Sequence, residues 1–217
     1  ADFVHGSGSM VYATQPSLEL TDLTANSHYD FRVYSMCGEN ELSDSVVARI
    51  QTPCATAQLP YHEDFEAYPA TSYGVAGTVP PCWTAISNAS VQYAPHVTYA
   101  PNASYEQYVC HGQSLQMTSG SSYPRNFVVL PWFDSDLNGT EISFSYKVQY
   151  IASAVLTLGY LTNVTDPNSF VVLETIPTVD ANLRDFSTSL YNRSIPRNAR
   201  LAFQWYNSFA WGSFSAS

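Results

Sequence analysis

Carboxylates, imidazoles, hydroxyls and phenols are the groups in this sequence that could do chemistry, and their spacing decides which chemistry is open. Glu63, Asp64 and Glu66 crowd together just ahead of the stretch 67–81. Hard oxygen ligands at a strand end suit Ca²⁺. A strand sends Glu63 and Asp64 to opposite faces, so all three act together only where the strand ends or bulges. The other reading of the same residues is an acidic, solvated strand end. Asp134-Ser-Asp-Leu-Asn-Gly139 starts like an EF-hand calcium loop, but its twelfth position, which needs a bidentate glutamate, is Ser145. A polar turn, with Asn138-Gly139 supplying positive φ, explains it more simply.

Nucleophile and base are not set up together. His5, His28, His62, His96 and His111 are scattered, with no His-Glu-x-x-His pair. Gly6-Ser-Gly-Ser9 lacks the spacing of a nucleophile elbow. The acids are spread along the chain, whereas a glycosidase needs two facing across a cleft. The expectation is a segment without an active site. Tyr93, Tyr99, Tyr105 and Tyr108 fall in a Pro- and Asn-rich stretch whose one charged residue is Glu106. Exposed, such rings make a platform for sugars, apolar on the face and hydrogen-bonding at the hydroxyl. Packed down, they give a long loop its apolar weight. Trp83, Trp132, Trp205 and Trp211 read as core or edge packing.

The elements that must position these groups are strands. Ile142, Phe144, Tyr146 and Val148 alternate with Glu141, Ser143, Ser145 and Lys147, the two-residue period of a half-buried strand. Similar stretches run over 29–34, 46–50, 127–130, 155–161, 170–176 and 200–206, separated by turn residues, 13 prolines among them. Strands at this spacing without helices between them predict an all-β protein of antiparallel sandwiches or a barrel. The sequence of 217 residues is 45% hydrophobic, enough to bury a core. Its net charge is -10, and Lys147 is its only lysine. So acidic a surface repels phosphate backbones and anionic lipid heads, which argues against nucleic acid and electrostatic membrane binding as partners. No apolar run reaches the roughly 18 residues a membrane helix needs, so no membrane insertion is expected.

Four cysteines are compatible with disulfides in an oxidising compartment. If 29–37 and 44–52 form a hairpin, Cys37 sits by its turn while Cys54 lies past its other end. At about 3.3 Å per residue that gap exceeds the disulfide limit of about 7 Å between Cα atoms. A Cys37–Cys54 bridge is therefore not expected. Sequons occur at Asn88, Asn102, Asn138, Asn163 and Asn192, which mark surface loops in a eukaryotic protein and Asn/Ser-rich turns in a bacterial one.

Composition shifts around Pro53–Pro60. Before it, Leu23, Tyr29 and the run through Phe31, Val33 and Tyr34 resemble the second half of a fibronectin type III domain, in which a tyrosine corner ties a strand start to the preceding backbone. That resemblance implies a partial sandwich over residues 1–53, its earlier strands lying in the remainder of a longer parent chain. After it, Leu59-Pro-Tyr-His-Glu-Asp-Phe-Glu66 and Pro80-Pro-Cys-Trp83 open a second pattern. Gly112-Gln-Ser-Leu115, Val128-Val-Leu-Pro131, Ile142-Ser-Phe-Ser-Tyr146, Gly159-Tyr-Leu-Thr162, Asp166-Pro-Asn-Ser-Phe170 and Arg200-Leu-Ala-Phe203 follow in order. Together they resemble the cleaved-adhesin, or choice-of-anchor, modules related to MAM domains, found in secreted and surface proteins of the Bacteroidetes.

This second resemblance implies a jelly-roll sandwich over 54–217 with a closing strand beyond Ser217. It implies structural calcium held by acids of the opening strand, with Glu63 and Glu66 at the matching positions. It implies a Cys54–Cys82 disulfide, as paired cysteines flank that strand in such modules; Cys82–Cys110 is the alternative. Asp44-Ser45-Val46 fits the O-glycosylation pattern of the same bacteria, at Ser45. The function it implies is a non-catalytic adhesion segment of a large secreted or cell-surface protein, recognising an extracellular glycan or protein ligand through sandwich loops. The alternatives are an accessory region of a secreted peptidase or glycoside hydrolase, and a structural spacer.

Overall fold

A computed structural model describes residues 8–38, 41–110, 112–120, 125–149, 154–178, 180–207 and 212–216. His5, His111 and Trp211 lie outside the described residues, as does the side chain of Tyr108. The chain divides into two compact units, residues 1–54 and 55–217. No helix among the described residues is long and apolar enough to cross a membrane.

The first unit is a ribbon. β1 (His28–Val33) pairs antiparallel with β4 (Val46–Gln51), Tyr29 opposite Ile50 and Phe31 opposite Ala48. β2 (Met36–Gly38) and β3 (Glu41–Leu42) pair near the tip. Tyr29 stacks on Phe31 at 6.1 Å, and its hydroxyl accepts a hydrogen bond from Thr24 N at 2.8 Å, fastening the start of β1 to the backbone before it. Val33, Val46, Val47 and Ile50 are exposed, because a ribbon has no second layer to bury them.

The second unit is an antiparallel β-sandwich. One five-stranded sheet runs β11 (Phe170–Ile176), β10 (Ala154–Leu161), β13 (Arg200–Asn207), β8 (Arg125–Val129), β5 (Thr84–Ser87). The other runs β12 (Arg184–Ser189), β9 (Glu141–Gln149), β14 (Gly212–Ala216), β7 (Ser114–Ser119), β6 (His96–Thr98). The chain changes sheet at β5/β6, on either side of β8, at β9/β10 and β11/β12, and on either side of β13, the interleaving of a jelly roll. Alternation along β9 is as the sequence reads: Tyr146 and Val148 are buried, and Phe144 meets Phe203 of the facing sheet edge-on at 4.9 Å. Leu115, Met117, Val128, Leu156, Leu158 and Trp205 complete the core between the sheets. A bulge between Leu158 and Gly159 brings the Val171 carbonyl so near that a Cβ on Gly159 would sit 2.2 Å from it. Only glycine fits there.

Two expectations change. Residues 59–66 form no strand: Phe65 takes φ +64, and its N–H goes to the Glu63 side chain rather than to a ladder. Asp134–Gly139 is not a positive-φ turn. Asp136 caps a 3₁₀ turn, Leu137–Gly139, by accepting from Asn138 N at 3.0 Å, and Leu137 is buried. Asn138 instead bonds both backbone groups of Ile195, at 2.8 and 3.0 Å. Strands β5, β6 and β12 lack a long alternation and were not legible as strands.

The outer face of β6 and β7 is also covered. Val97 and Leu115 point to the core, so their neighbours His96, Thr98, Ser114 and Gln116 point away, yet each is at most 1% exposed. The segment 71–78 runs along the free edge of β6, bonding it through Thr71 N to Val97 O (3.1 Å) and Val97 N to Thr78 O (2.9 Å), and its Gly77 closes over His96. Burial pushes the His96 imidazole below its usual value. The unfolded chain therefore binds its proton more readily, so His96 contributes stability that is complete above about pH 6.5 and lost as pH falls from there through the folded value. Urea denaturation at pH 7.5 and 5.0 is expected to show a smaller acid-induced loss for His96→Gln than for the wild type; equal losses would contradict this.

Candidate functional site

Residues 61–68 form a turn built around one carboxylate. Glu63 Oε1 accepts from Phe65 N at 2.9 Å, and Oε2 accepts from the hydroxyls of Tyr68 at 2.9 Å and Tyr61 at 3.3 Å. Trp83 Nε1 donates to Tyr61 Oη at 3.1 Å, which extends the network to β5. Burial, then the negative Glu63 beside it, pushes the Tyr68 phenol up to about 12, and burial raises Tyr61 as well. Both stay protonated donors at neutral pH. Held in this turn, Phe65 enters the core and meets Trp83 edge-on at 5.7 Å.

The turn docks on residues 112–113. Glu66 Oε1 accepts from Gln113 N at 2.7 Å. In the orientation that satisfies both its amide atoms, the Gln113 side chain donates to the Phe65 and Tyr68 carbonyls at 3.2 and 3.0 Å. Gly112 has φ +57, and a Cβ there would meet Glu66 Oε1 at 1.9 Å. Opposite lies a 3₁₀ turn, Ala103–Tyr108, capped by Asn102, whose Oδ1 accepts from Ser104 N. It is tied to the outer face of β9 by Lys147 Nζ donating to Glu106 O at 3.1 Å and Gln149 Nε2 donating to Gln107 O at 2.9 Å.

Between these two turns is a depression of about 850 Å³ lined by Glu66, Tyr99, Glu106, Gln113 and Lys147 over apolar Ala70 and Val109. Tyr99 is 42% exposed at its edge. The arrangement offers an apolar ring face, two carboxylates and an ammonium within one concavity.

Of the sequence candidates, Glu66 and Tyr99 come together here. Tyr93 and Tyr105 are half-buried and Tyr93 closes a turn by donating its N–H to Ser90 O. Neither is among the described residues lining the depression. Glu63 lies in the phenol network instead, and Asp64 Oδ1 accepts from Glu66 N at 3.1 Å. Among the described residues no group of three or more His, Cys, Asp or Glu could hold a metal. In this arrangement Glu63, Asp64 and Glu66 each accept from donors of the protein itself. Cys54 and Cys82 are disulfide-bonded, whereas Cys37 and Cys110 are thiols. Ser45 is half-buried immediately before β4. Lys147, Glu106 and Gln113 were not singled out by sequence; the sole signal was that the one lysine stands on the polar face of a strand.

No protein-family profile and no curated protein matches the chain. Among solved structures it is similar to the K2 cleaved adhesin domain of Lys-gingipain, at 11% identity and TM-score 0.43 over 66% of this chain and 92% of that one. It is similar to the K1 cleaved adhesin domain of Lys-gingipain from Porphyromonas gingivalis at 16% identity and TM-score 0.41, covering 67% and 95% of the two chains. It is also similar to a structure of carbohydrate-binding modules from the β-sandwich superfamily, at 13% identity and TM-score 0.39 over 88% and 72%.

Two substitutions test the geometry. Glu63→Ala leaves two phenols and a main-chain N–H without their acceptor and is expected to lower unfolding free energy by about 3 kcal/mol. Gly112→Ala must move Glu66 and strain a positive φ, an expected loss of about 1–3 kcal/mol. Urea denaturation measures both; wild-type stability in either variant would remove the corresponding interaction.

Proposed function

We propose that the chain is a non-catalytic recognition segment of a secreted or surface protein, and that the depression between residues 65–68 and 103–108 binds the sugar rings of an extracellular glycan. The observation that carries this reading is Tyr99, an exposed ring beside a concavity whose walls carry Glu66, Glu106 and Lys147. A pyranose presents an apolar face and a rim of hydroxyls that both donate and accept. The Tyr99 ring matches the face, the carboxylates accept, and Lys147 spends one of its three protons on Glu106 O while its ammonium faces the cavity. Glu66 and Lys147 are prepositioned by the backbone bonds at Gln113 and Glu106, which limits the ordering cost of binding.

The reading routes no step through calcium, since the acids 63–66 are engaged with donors of the protein. The tie from Tyr29 to Thr24 supports reading the first unit as the second half of a fibronectin type III domain. The ordered sequence blocks support the cleaved-adhesin reading of the second.

A glycan array probed with the purified chain, followed by calorimetry on hits, is the test. Tyr99→Ala is expected to weaken binding at least tenfold, about 1.4 kcal/mol, with the thermal melt unchanged. Binding and melt are both expected to be the same with calcium and with chelator. Unchanged affinity in Tyr99→Ala would move the site elsewhere, and hydrolysis of the bound glycan would end the non-catalytic reading.

A further inference from the structure

We infer that the face of β6 and β7 beside the 71–78 segment encloses a site for ordered water, held by His96, Thr98 and Gln116. His96 stands directly opposite Gln116, and Thr98 opposite Ser114, so all four side chains share one face. Ser114 Oγ accepts from Cys110 N at 2.9 Å. The other three residues are at most 1% exposed, yet His96 Nε2, Thr98 Oγ1 and both amide atoms of Gln116 have no hydrogen-bond partner among the described residues. A buried polar atom left bare is destabilising, and native structures fill such gaps with water making about three bonds.

The guest's chemistry follows from the inventory. His96 Nδ1 lies 2.8 Å from Ala94 O, which places the proton on Nδ1 and leaves Nε2 an acceptor. Gln116 Oε1 also accepts, while Gln116 Nε2 and the Thr98 hydroxyl donate. A cation would want acceptors alone and an anion donors alone. Two of each, with no net charge, call for a neutral guest that does both, which is water. The cover is fitted to this layer: a Cβ on Gly77 would lie 2.9 Å from His96 Cβ and 2.6 Å from Thr71 Oγ1, so the backbone there closes directly over the imidazole. Across the sheet the same row continues from His96 through Gln116 and Ser215 to Lys147, which places the hydrated site on the sheet face that also carries the depression. The inference does not depend on what the depression binds.

A crystal structure of the whole chain at about 1.5 Å or better is expected to show a water within about 3.2 Å of His96 Nε2. Magnetic relaxation dispersion in solution is expected to count at least one fewer long-lived internal water in Thr98→Val/Gln116→Leu than in the wild type. Should that pair fail to fold, Thr98→Val alone, which keeps shape and loses one donor, carries the measurement. A dry site, or a direct His96–Gln116 hydrogen bond in its place, overturns the inference, as does an unchanged count of internal waters.

Discussion

A carboxylate exchanged from water to three protein donors governs residues 61–83. Glu63 is half-buried, and an ionised group in that position persists only when its oxygens are satisfied. Two phenols and the Phe65 N–H do this. The consequence is mechanical: the backbone reverses at Phe65, in a φ region that bulky residues avoid, and the ring is delivered to Trp83. Remove the acceptor and the reversal has nothing to hold it.

From that reversal the depression follows. Only because the chain turns at 65–68 does Glu66 reach Gln113, and only because residue 112 is glycine can the carboxylate lie against the backbone there. The opposite wall is fixed separately, by side chains of β9 reaching up to carbonyls of the 103–108 turn. Two locally determined turns therefore face one another across a sheet surface, and the rigidity of the sheet sets their spacing. Loops carried on a stiff scaffold in this way are where sandwiches place recognition.

β9 was legible because one of its faces is drier than the other and its side chains alternate accordingly; β10 and β13 are buried along most of their length, Thr157 and Ala202 included, and were legible from their apolar runs instead. β6 and β7 showed neither, since both of their faces are covered and polar residues occupy the outer one. His96-Val-Thr98 reads as nothing in particular until the 71–78 segment is seen to run along its edge. The acids at 63–66 were visible as a cluster, but their partners are phenols and main-chain N–H groups, which no spacing of acidic residues announces. Tyr99 was separable from Tyr93 and Tyr105 only by exposure, a tertiary property. Depression walls contributed by residues 66, 99, 106, 113 and 147 come from segments that meet only through the fold.

One compositional accident takes on meaning from the fold. With Lys147 the single lysine, reagents that acylate or reductively alkylate side-chain amines have one address on this chain, and it lies within the concavity. Immobilisation or fluorescent tagging through lysine would therefore occlude that concavity, whereas the same selectivity makes the ε-amine a natural place to install a reporter of occupancy.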